Sequence, residues 1–459
     1  MVSTERDCRE SVLGVRGFNM LRIGFIFPSS HYLFDPFKGD PHTHFHLLTL
    51  LEDRLGAQVE VKLIDLRGIE RKFALYHIPE CDIFLQSIYT LDVDEQIELV
   101  AGLRKNYPQA VHLAGGPHAQ EFPKEMQEFF DAIFIGECEE LLFRAIEDFE
   151  RNDLQKLYSN PQGVDVNEYA MPRRNFLAKS NVSRTDMLSL KRDSSFKELR
   201  GTTVLFSRGC PYQCAFCAME KTRKGAGIRY RRPDLIVEEI EYLKRDYGIQ
   251  GISLLDEIGI PMRRKDAFTH LEAIGSCDVV WRGQCRVDGV TPEIAELARQ
   301  SGCVALGLGV ESAWQTSLDA INKQINLTRA KETIRILKAH GIEVRLYMIL
   351  GLPGEPPDIV QRSWDFVQET DPDLVILSLL TMRPGTIIYQ DPKRFGIKAV
   401  SKDWKNTRHM HGRYDEEVPE LTFEYEEVTP WGKSLTNEQI VGNYVELQNR
   451  LSESGLNTM

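Results

Sequence analysis

The chain has 459 residues, 42% hydrophobic and 27% charged, the profile of an ordinary globular protein of roughly two to four domains. Its 56 Lys and Arg against 68 Asp and Glu leave a formal charge of −12, which argues against nucleic acid as a partner, because phosphate recognition needs a basic face. Nine cysteines, an odd number in so long a chain, exclude a disulfide scaffold. No apolar run approaches the roughly 20 residues that span a bilayer, and the polar N-terminus lacks a signal-peptide core, so a cytoplasmic protein with no integral membrane segment is expected.

Residues 1–20 read as a polar arm. The first strand is expected at Arg22–Pro28, a short apolar run bounded by Pro and Ser. A helical stretch near Thr43–Leu55 follows, then strands at Val59–Leu66 and Asp82–Ser87. Val93, Ile97 and Val100 recur at i, i+4 and i+7 and give a helix one apolar face, with Asp92 as its N-cap and Glu95 three residues on. A strand at Ala110–Ala114 runs into Gly115, Gly116, Pro117 and His118. Another at Ala132–Ile135 runs into Gly136, Glu137 and Cys138 and a helix carrying Leu142, Ala145, Ile146 and Phe149. This alternation predicts a doubly wound, mostly parallel, Rossmann-like sheet over residues 21–150. Such sheets bind ligands at the carboxyl ends of their strands, here Pro28–Ser30, Ser87–Thr90, Gly115–His118 and Gly136–Glu137. Gly115 and Gly116 lack a Cβ, so they offer either a tight turn or a wall that a flat ligand can approach.

Residues 151–200 keep no sustained period and read as a linker. A strand at Thr203–Ser207 then delivers Cys210, Cys214 and Cys217 in a loop with C-x-x-x-C-x-x-C spacing. Three thiolates so spaced can hold three irons of a [4Fe–4S] cube and leave the fourth to a small chelating molecule. A structural zinc site would want a fourth Cys or His close by, and the next histidine is His270. Helical stretches at 233–247, 264–274, 290–301, 313–320 or 328–340, and 358–369 each follow a strand. Six strands with these five helices between them predict a partial (β/α)6 barrel of TIM type over residues 201–390, with its chemistry at the carboxyl ends of the strands. Residues 391–459 are expected to form a small α-rich region, placed as a lid over the barrel mouth. They carry Trp404, His409, His411, Tyr414, Trp431 and an acidic stretch, Asp415–Glu427.

The cysteine loop, with aromatic Phe216 before its last cysteine, resembles the cluster loop of the radical S-adenosylmethionine (SAM) superfamily. The segments after it resemble, in order, the cobalamin-dependent class: IRYRRPDLIVEEIEYL (Ile228–Leu243), GISLLDEI (Gly251–Ile258), WRGQCRVD (Trp281–Asp288), LGLGVES (Leu306–Ser312), VRLYMILGLPGE (Val344–Glu355) and VILSLLTMRPGT (Val375–Thr386). Upstream, GGPHAQEFP and DAIFIGECEE resemble the N-terminal cobalamin-binding domain of that class, with Cys138 where the family has the second Gly of Gly-Glu-Gly-Glu. The resemblance covers about residues 21–390.

It implies that Cys210, Cys214 and Cys217 ligate a [4Fe–4S] cluster. It implies that Phe216, Asp256, Glu257, Arg286, Glu311 and Gly351 meet SAM, and that Ser87, Gly115, Gly116, Pro117, His118, Gly136 and Glu137 meet cobalamin. For Arg286, a neighbouring acid is the alternative partner. Tyr347 shares strand parity with Arg345 and Ile349, and is either a catalytic residue inside the barrel or a packing tyrosine. Lys38–Phe45, KGDPHTHF, comes near the D-x-H-x-x-G motif through which such domains ligate cobalt, but Phe45 replaces its Gly; His42 is the corresponding axial-ligand candidate. Lys221, Arg223, Lys224, Arg229, Arg231 and Arg232 form a basic run, either a solvated face or a dock for an anionic substrate or a reductant such as flavodoxin or ferredoxin. Cys8, Cys81, Cys277 and Cys303 read as ordinary thiols and Cys285 as a buried barrel residue.

By this resemblance the expected activity is methylation of an unactivated carbon in a small molecule or peptide, through a 5′-deoxyadenosyl radical and methylcobalamin. Radical cyclisation or rearrangement is the alternative within the class. A cobalamin carrier or sensor without radical activity is the alternative outside it, and the intact cysteine triplet weighs against that. A tRNA methylthiotransferase would need N-terminal cluster cysteines and an RNA-binding tail, and neither pattern is evident.

Overall fold

The computed structural model describes residues 20–30, 33, 35–37, 39–188, 195–218, 227–402 and 419–456. Cys8, Lys38, Lys221, Arg223, Lys224, Trp404, His409, His411, Tyr414 and the start of the acidic stretch lie outside the described residues. Two six-stranded parallel sheets organise the rest.

The first sheet contains β1 (Leu21–Phe27), β2 (Val59–Asp65), β3 (Ile83–Ser87), β4 (Val111–Gly115), β5 (Ala132–Gly136) and β6 (Leu157–Asn160), in the order β2-β1-β3-β4-β5-β6. Its strands are apolar on both faces because helices cover both. Phe25 and Leu113 pack with Leu48 and Leu142 on one side; Ile26 and Phe84 pack with Leu99 and Leu103 on the other. The strand order reverses between β1 and β3, which opens a crevice at their carboxyl ends. Strand β6 lies in the segment read as linker. It is an edge strand of four residues, too short to show a period. Asp92 does stand at the N-cap of helix Val93–Asn106, but it makes no side-chain cap. Its carboxylate accepts instead from Tyr89 N–H and the Gln96 amide, each at 3.0 Å. Glu95 reaches away to accept from Ser29 N–H and Oγ–H, each at 2.8 Å, which pins the loop after β1.

The second sheet is the open barrel: β7 (Gly201–Val204), β10 (Gly251–Leu254), β11 (Val280–Cys285), β12 (Cys303–Glu311), β13 (Glu343–Leu350) and β14 (Leu374–Leu379), every neighbouring pair parallel. Between β7 and β10, β8 (Ser207–Arg208) and β9 (Arg229–Tyr230) form a short antiparallel ladder beside the cysteine loop. The expected first strand, Thr203–Ser207, is therefore split in two. Helix Pro233–Tyr247 starts with Pro in its first turn and stops at Gly248, at φ 65°. Strand β13 shows the alternation that builds the barrel: Val344, Leu346, Met348 and Leu350 are buried, while Arg345, Tyr347 and Ile349 are half-buried on the other face. Cys81, Cys277, Cys285 and Cys303 are buried free thiols.

The tail, residues 391–459, follows the barrel. Its described part combines a ladder of β15 (Ile397–Val400) and β16 (Phe423–Tyr425) with helix Asn437–Glu453, whose Thr436 and Gln439 form a capping box. That helix packs on helix Ile359–Thr370 and on β14. Val375 N–H donates to Leu456 O at 2.8 Å. The described tail also meets the carboxyl ends of two barrel strands: Tyr425 Oη–H donates to Gly351 O at 2.9 Å after β13, and Met382 N–H to Thr422 Oγ1 at 3.3 Å after β14. Among the described residues no helix is long and apolar enough to cross a membrane.

Candidate active site at the meeting of the two sheets

The cysteine loop leaves the barrel after β8. Cys210, Cys214 and Cys217 stand outside any disulfide, with Cys214 buried. Cys217 N–H donates to Cys214 O at 3.1 Å. Among the described residues no three thiol, imidazole or carboxylate groups stand in a metal-holding arrangement, these three included. The loop is fixed from outside. Ala215 N–H donates to Ile321 O at 2.8 Å, Ile388 N–H to Ala215 O at 3.0 Å, and Asn322 Nδ2 to Gln213 O at 2.9 Å. The Arg286 guanidinium lies 3.5 Å from the centroid of Tyr212, between the first two cysteines. It donates to both Asp288 oxygens, at 3.0 and 3.3 Å, and to the Lys323 carbonyl at 3.1 Å. The carboxylate that Arg286 meets is thus a neighbouring acid.

Asp256 meets the chain's own backbone. It is fully buried, and its two oxygens accept Phe206 N–H at 3.1 and 3.2 Å, at the break between β7 and β8. Burial pushes its pKa up to about 7. Strand β10 ends at Leu254, so Leu255 is exposed and Asp256 turns inward, as a positioning residue for the loop. Glu257 is exposed and lies within electrostatic reach of Cys210. Glu311 ends β12 at φ 67°, a left-handed backbone that costs a non-glycine residue about 1–3 kcal/mol. Its carboxylate pairs with Lys323 Nζ at 2.5 Å, and that ammonium stands 5.8 Å from the Phe216 ring. Gly351 directly follows β13; its N–H donates to Glu355, four residues on, and its carbonyl accepts from Tyr425 Oη–H of the tail, both at 2.9 Å.

A cavity of about 270 Å³ opens between the sheets. Ser87, Gly116, Pro117, Gly136 and Glu137 line it from the first sheet, and Ser207, Arg208 and Arg231 from the barrel. Gly115 and His118 do not line it. His118 is buried, with Nδ1 3.2 Å from Thr90 Oγ1, and burial lowers its pKa to about 4. Of the two alternatives for the Gly115–Gly116 pair, Gly116 takes the tight turn. A Cβ at Gly116 (φ 91°) would stand 2.7 Å from Ile88 N, and one at Gly136 (φ 86°) 2.2 Å from Asn160 O. Both glycines are demanded by the chain's own turns.

The acids of the Gly136–Glu140 turn reach across to the barrel. Glu137 takes Arg229 at 2.6 and 2.8 Å and Val164 N–H at 2.7 Å. Burial works against its ionised form, but Arg229 and Arg208 outweigh it and hold the carboxyl below its usual range. Glu139 is buried, pairs with Arg208, and accepts His46 Nε2–H at 3.1 Å. Arg208 is two residues from Cys210, so this ion pair ties the sheet to the cysteine loop. Of the basic run, Arg229 and Arg231 therefore face the interface, while Arg232 pairs locally with Asp234. Arg231 is buried and its Nε and Nη2 lack partners.

His42 lines the same cavity. Thr203 Oγ1–H donates to Asp40 at 2.7 Å, so the 2.8 Å contact between Thr203 Oγ1 and His42 Nε2 has the imidazole as donor. Burial and the nearby Arg174 charge hold the ring neutral. Asp40 and His42 thus dock the first sheet on β7. Arg174, from the segment read as linker, completes the joint: fully buried, it pairs with Glu239 at 2.9 Å and lies 5.0 Å from the centroid of Phe45. Sequence reading missed Arg174, Arg208 and His46, and named Arg231 only within the basic run.

Residues 204–367 match the model of the Radical SAM superfamily. The chain carries a radical SAM domain. Around that domain, it is 25% identical over 407 residues to the anaerobic magnesium-protoporphyrin IX monomethyl ester cyclase of Cereibacter sphaeroides, covering 81% of this chain and 63% of the relative. It is 24% identical over 340 residues to the bacteriochlorophyllide d C-12(1)-methyltransferase of Chlorobaculum tepidum, covering 73% and 67%. The chain thus spans about two-thirds of the length of these curated relatives. The radical SAM domain and the sheet before it share their fold with the radical SAM methyltransferase TsrM of Kitasatospora setae, solved with cobalamin and a [4Fe–4S] cluster. The TM-score is 0.68 at 16% identity, over 96% of this chain and 91% of that one. They also share it with the cobalamin-dependent radical SAM enzyme OxsB, at TM-score 0.57 and 16% identity, over 95% and 62%.

Proposed function

We propose that the protein is a cobalamin-dependent radical SAM enzyme that methylates an unactivated carbon of a small molecule or peptide. The observation that carries this is the shared cavity: the strand ends of a doubly wound sheet and the segment leading into the cysteine loop form its two walls, locked together by Glu137–Arg229 and Glu139–Arg208.

The residues fit the groups the reading requires. Three cysteines outside any disulfide on one short loop are the donor set for a site-differentiated [4Fe–4S] cluster. The buried, unpartnered Arg231 nitrogens at the cavity wall offer hydrogen bonds to the amide and phosphate acceptors of a corrinoid. When bound, the cluster and SAM supply a carbon-centred radical, and the corrinoid supplies the methyl group. The chain's part is orientation. Asp256 holds the chain leading into the cysteine loop, Arg286 packs on Tyr212 between its first two cysteines, and Phe216, Glu311 and Lys323 form the wall beside it. The Arg–Glu pairs set the distance between sheet and barrel, and burial keeps water from the space between them. Reduction is assigned to an external donor such as flavodoxin or ferredoxin.

The test is reconstitution. Protein produced with cobalamin uptake is expected to retain a corrinoid visible by absorbance, and on reduction to form 5′-deoxyadenosine from SAM. Cys214→Ala should abolish SAM cleavage and keep the corrinoid. A folded, cluster-loaded sample that takes up no corrinoid overturns the reading. Radical cyclisation is the second reading, favoured by the match to the cyclase over 81% of the chain. Transfer of label from methyl-labelled SAM to product separates the two.

A further inference from the structure

The barrel lumen holds two arginines that no acid among the described residues neutralises. Arg282 of β11 and Arg345 of β13 line a cavity of about 180 Å³, together with Ser253, Gln284, Gly307 and Tyr347. They flank β12, and the register puts Arg282 beside Ala305 and Arg345 beside Gly307. The strand between them therefore carries nothing larger than a methyl group at these positions. Gly307 must stay small, because a Cβ there would stand 2.6 Å from the Tyr347 ring. Arg282 Nε–H donates to Ser253 Oγ at 3.0 Å. Arg345 makes no hydrogen bond or ion pair among the described residues, and its Nε is buried without a partner. Burial and the neighbouring Arg345 lower the Arg282 pKa to about 10, which still leaves it charged at neutral pH. Elsewhere the buried cations Arg174, Arg286 and Lys323 each have a carboxylate, and Arg231 at the interface cavity has none. Two adjacent, half-buried guanidiniums without a carboxylate are costly.

We propose that Arg282 and Arg345 receive the carboxylate of an anionic substrate, with Tyr347 beside it toward the barrel mouth. Guanidinium forks match the two oxygens of a carboxylate, and the Ser253, Gln284 and Tyr347 side chains supply further polar contacts. The cavity is smaller than the roughly 300–1,000 Å³ of a whole drug-sized site, so it takes the anionic head and leaves the reacting carbon nearer the cysteine loop. Placing the reaction at that loop rests on the proposed radical SAM activity. Each arginine is the third residue of its strand, whereas the cysteines lie beyond the strand ends. That depth favours substrate over the carboxylate of a SAM chelated to the cluster.

Benzoate and its neutral isostere benzamide test the pair on the full-length chain by calorimetric titration. Benzoate is expected to bind at least tenfold tighter than benzamide. The Arg282→Gln/Arg345→Gln variant should lose that preference, and Arg282→Lys/Arg345→Lys should keep part of it, with circular dichroism confirming the fold. Single Arg345→Gln should cut it at least threefold, which guards against a double variant that fails to fold. Equal affinity for the two probes, no benzoate binding at 20 mM, or a preference that survives the Gln variants overturns the proposal. So does displacement of benzoate by SAM from the cluster-loaded protein, which would give the pair to SAM. The benzoate titration needs neither cluster nor corrinoid, so a wild-type protein that binds no corrinoid would overturn the proposed function alone.

Discussion

At the interface cavity Glu137 and Glu139 each meet an arginine from the barrel, whereas in the lumen Arg282 and Arg345 meet no acid. Both cavities lie within the same two-sheet framework, and both bury charge. Charge matched within the chain holds the two sheets in register. Charge left unmatched costs folding energy and gains a use only when a ligand of opposite sign arrives. The distinction sorts structural charge from binding charge without reference to relatives.

The largest test of the matched side is Glu139→Ala. It leaves Arg208 without its nearest carboxylate and His46 without an acceptor, both at a buried joint. Breaking a buried pair from one side typically costs about 3–5 kcal/mol. Urea denaturation should show a loss of that size, and corrinoid retention should fall with it, because Arg208 leads into the cysteine loop. Full stability in this variant would break the comparison.

Glu355 extends the rule to an unmatched acid. Its Oε2 accepts Gly351 N–H at 2.9 Å, its Oε1 has no partner, and burial pushes its pKa up to about 8. The folded state then holds this proton more tightly than the unfolded chain, whose value is the ordinary 4.5. Stability from this group is full below about pH 4.5 and is lost as pH rises toward 8, with a slope of at most about 1.4 kcal/mol per pH unit. Between pH 5 and 7.5 the wild type should lose about 3 kcal/mol through Glu355. Glu355→Gln should flatten that part of the profile, as read from urea midpoints at the two pH values.

What was legible in the sequence was local. The helix Pro233–Tyr247 announced itself by an apolar face and a proline in its first turn, and the cysteine loop by spacing within eight residues. The strand–helix alternation carried both sheets. What was hidden depends on pairs far apart in the chain. Arg174 meets Glu239 across 65 residues, and Glu137 meets Arg229 across 92. Asp256 looked like a ligand-binding acid because its strand position did, and only the break after Val204 shows that the carboxylate serves Phe206. The lumen pair could have been half seen, since Arg282 and Gln284, and Arg345 and Tyr347, share strand parity. Their proximity needed the register across β12.

The smallest effect is the sharpest control, because it sits one residue from the largest. Glu140 pairs with Arg54 at 2.7 Å, a geometry as good as any at the interface, but the two side chains are 52% and 45% exposed. Water screens such a pair and already solvates both ions in the unfolded chain, so removing one partner leaves no desolvated charge behind. Glu140→Ala should therefore cost no more than about 0.5 kcal/mol in the same urea titration. Its corrinoid retention should match wild type, since Arg54 lies on the far end of helix His42–Leu55 from His42 and His46. If the two variants instead behaved alike, the Glu139 effect would belong to disruption of the helix start at Glu139–Glu140, not to the buried arginine. A clear gap between neighbours on one helical turn isolates burial as the variable, because backbone, charge and helix position are otherwise shared.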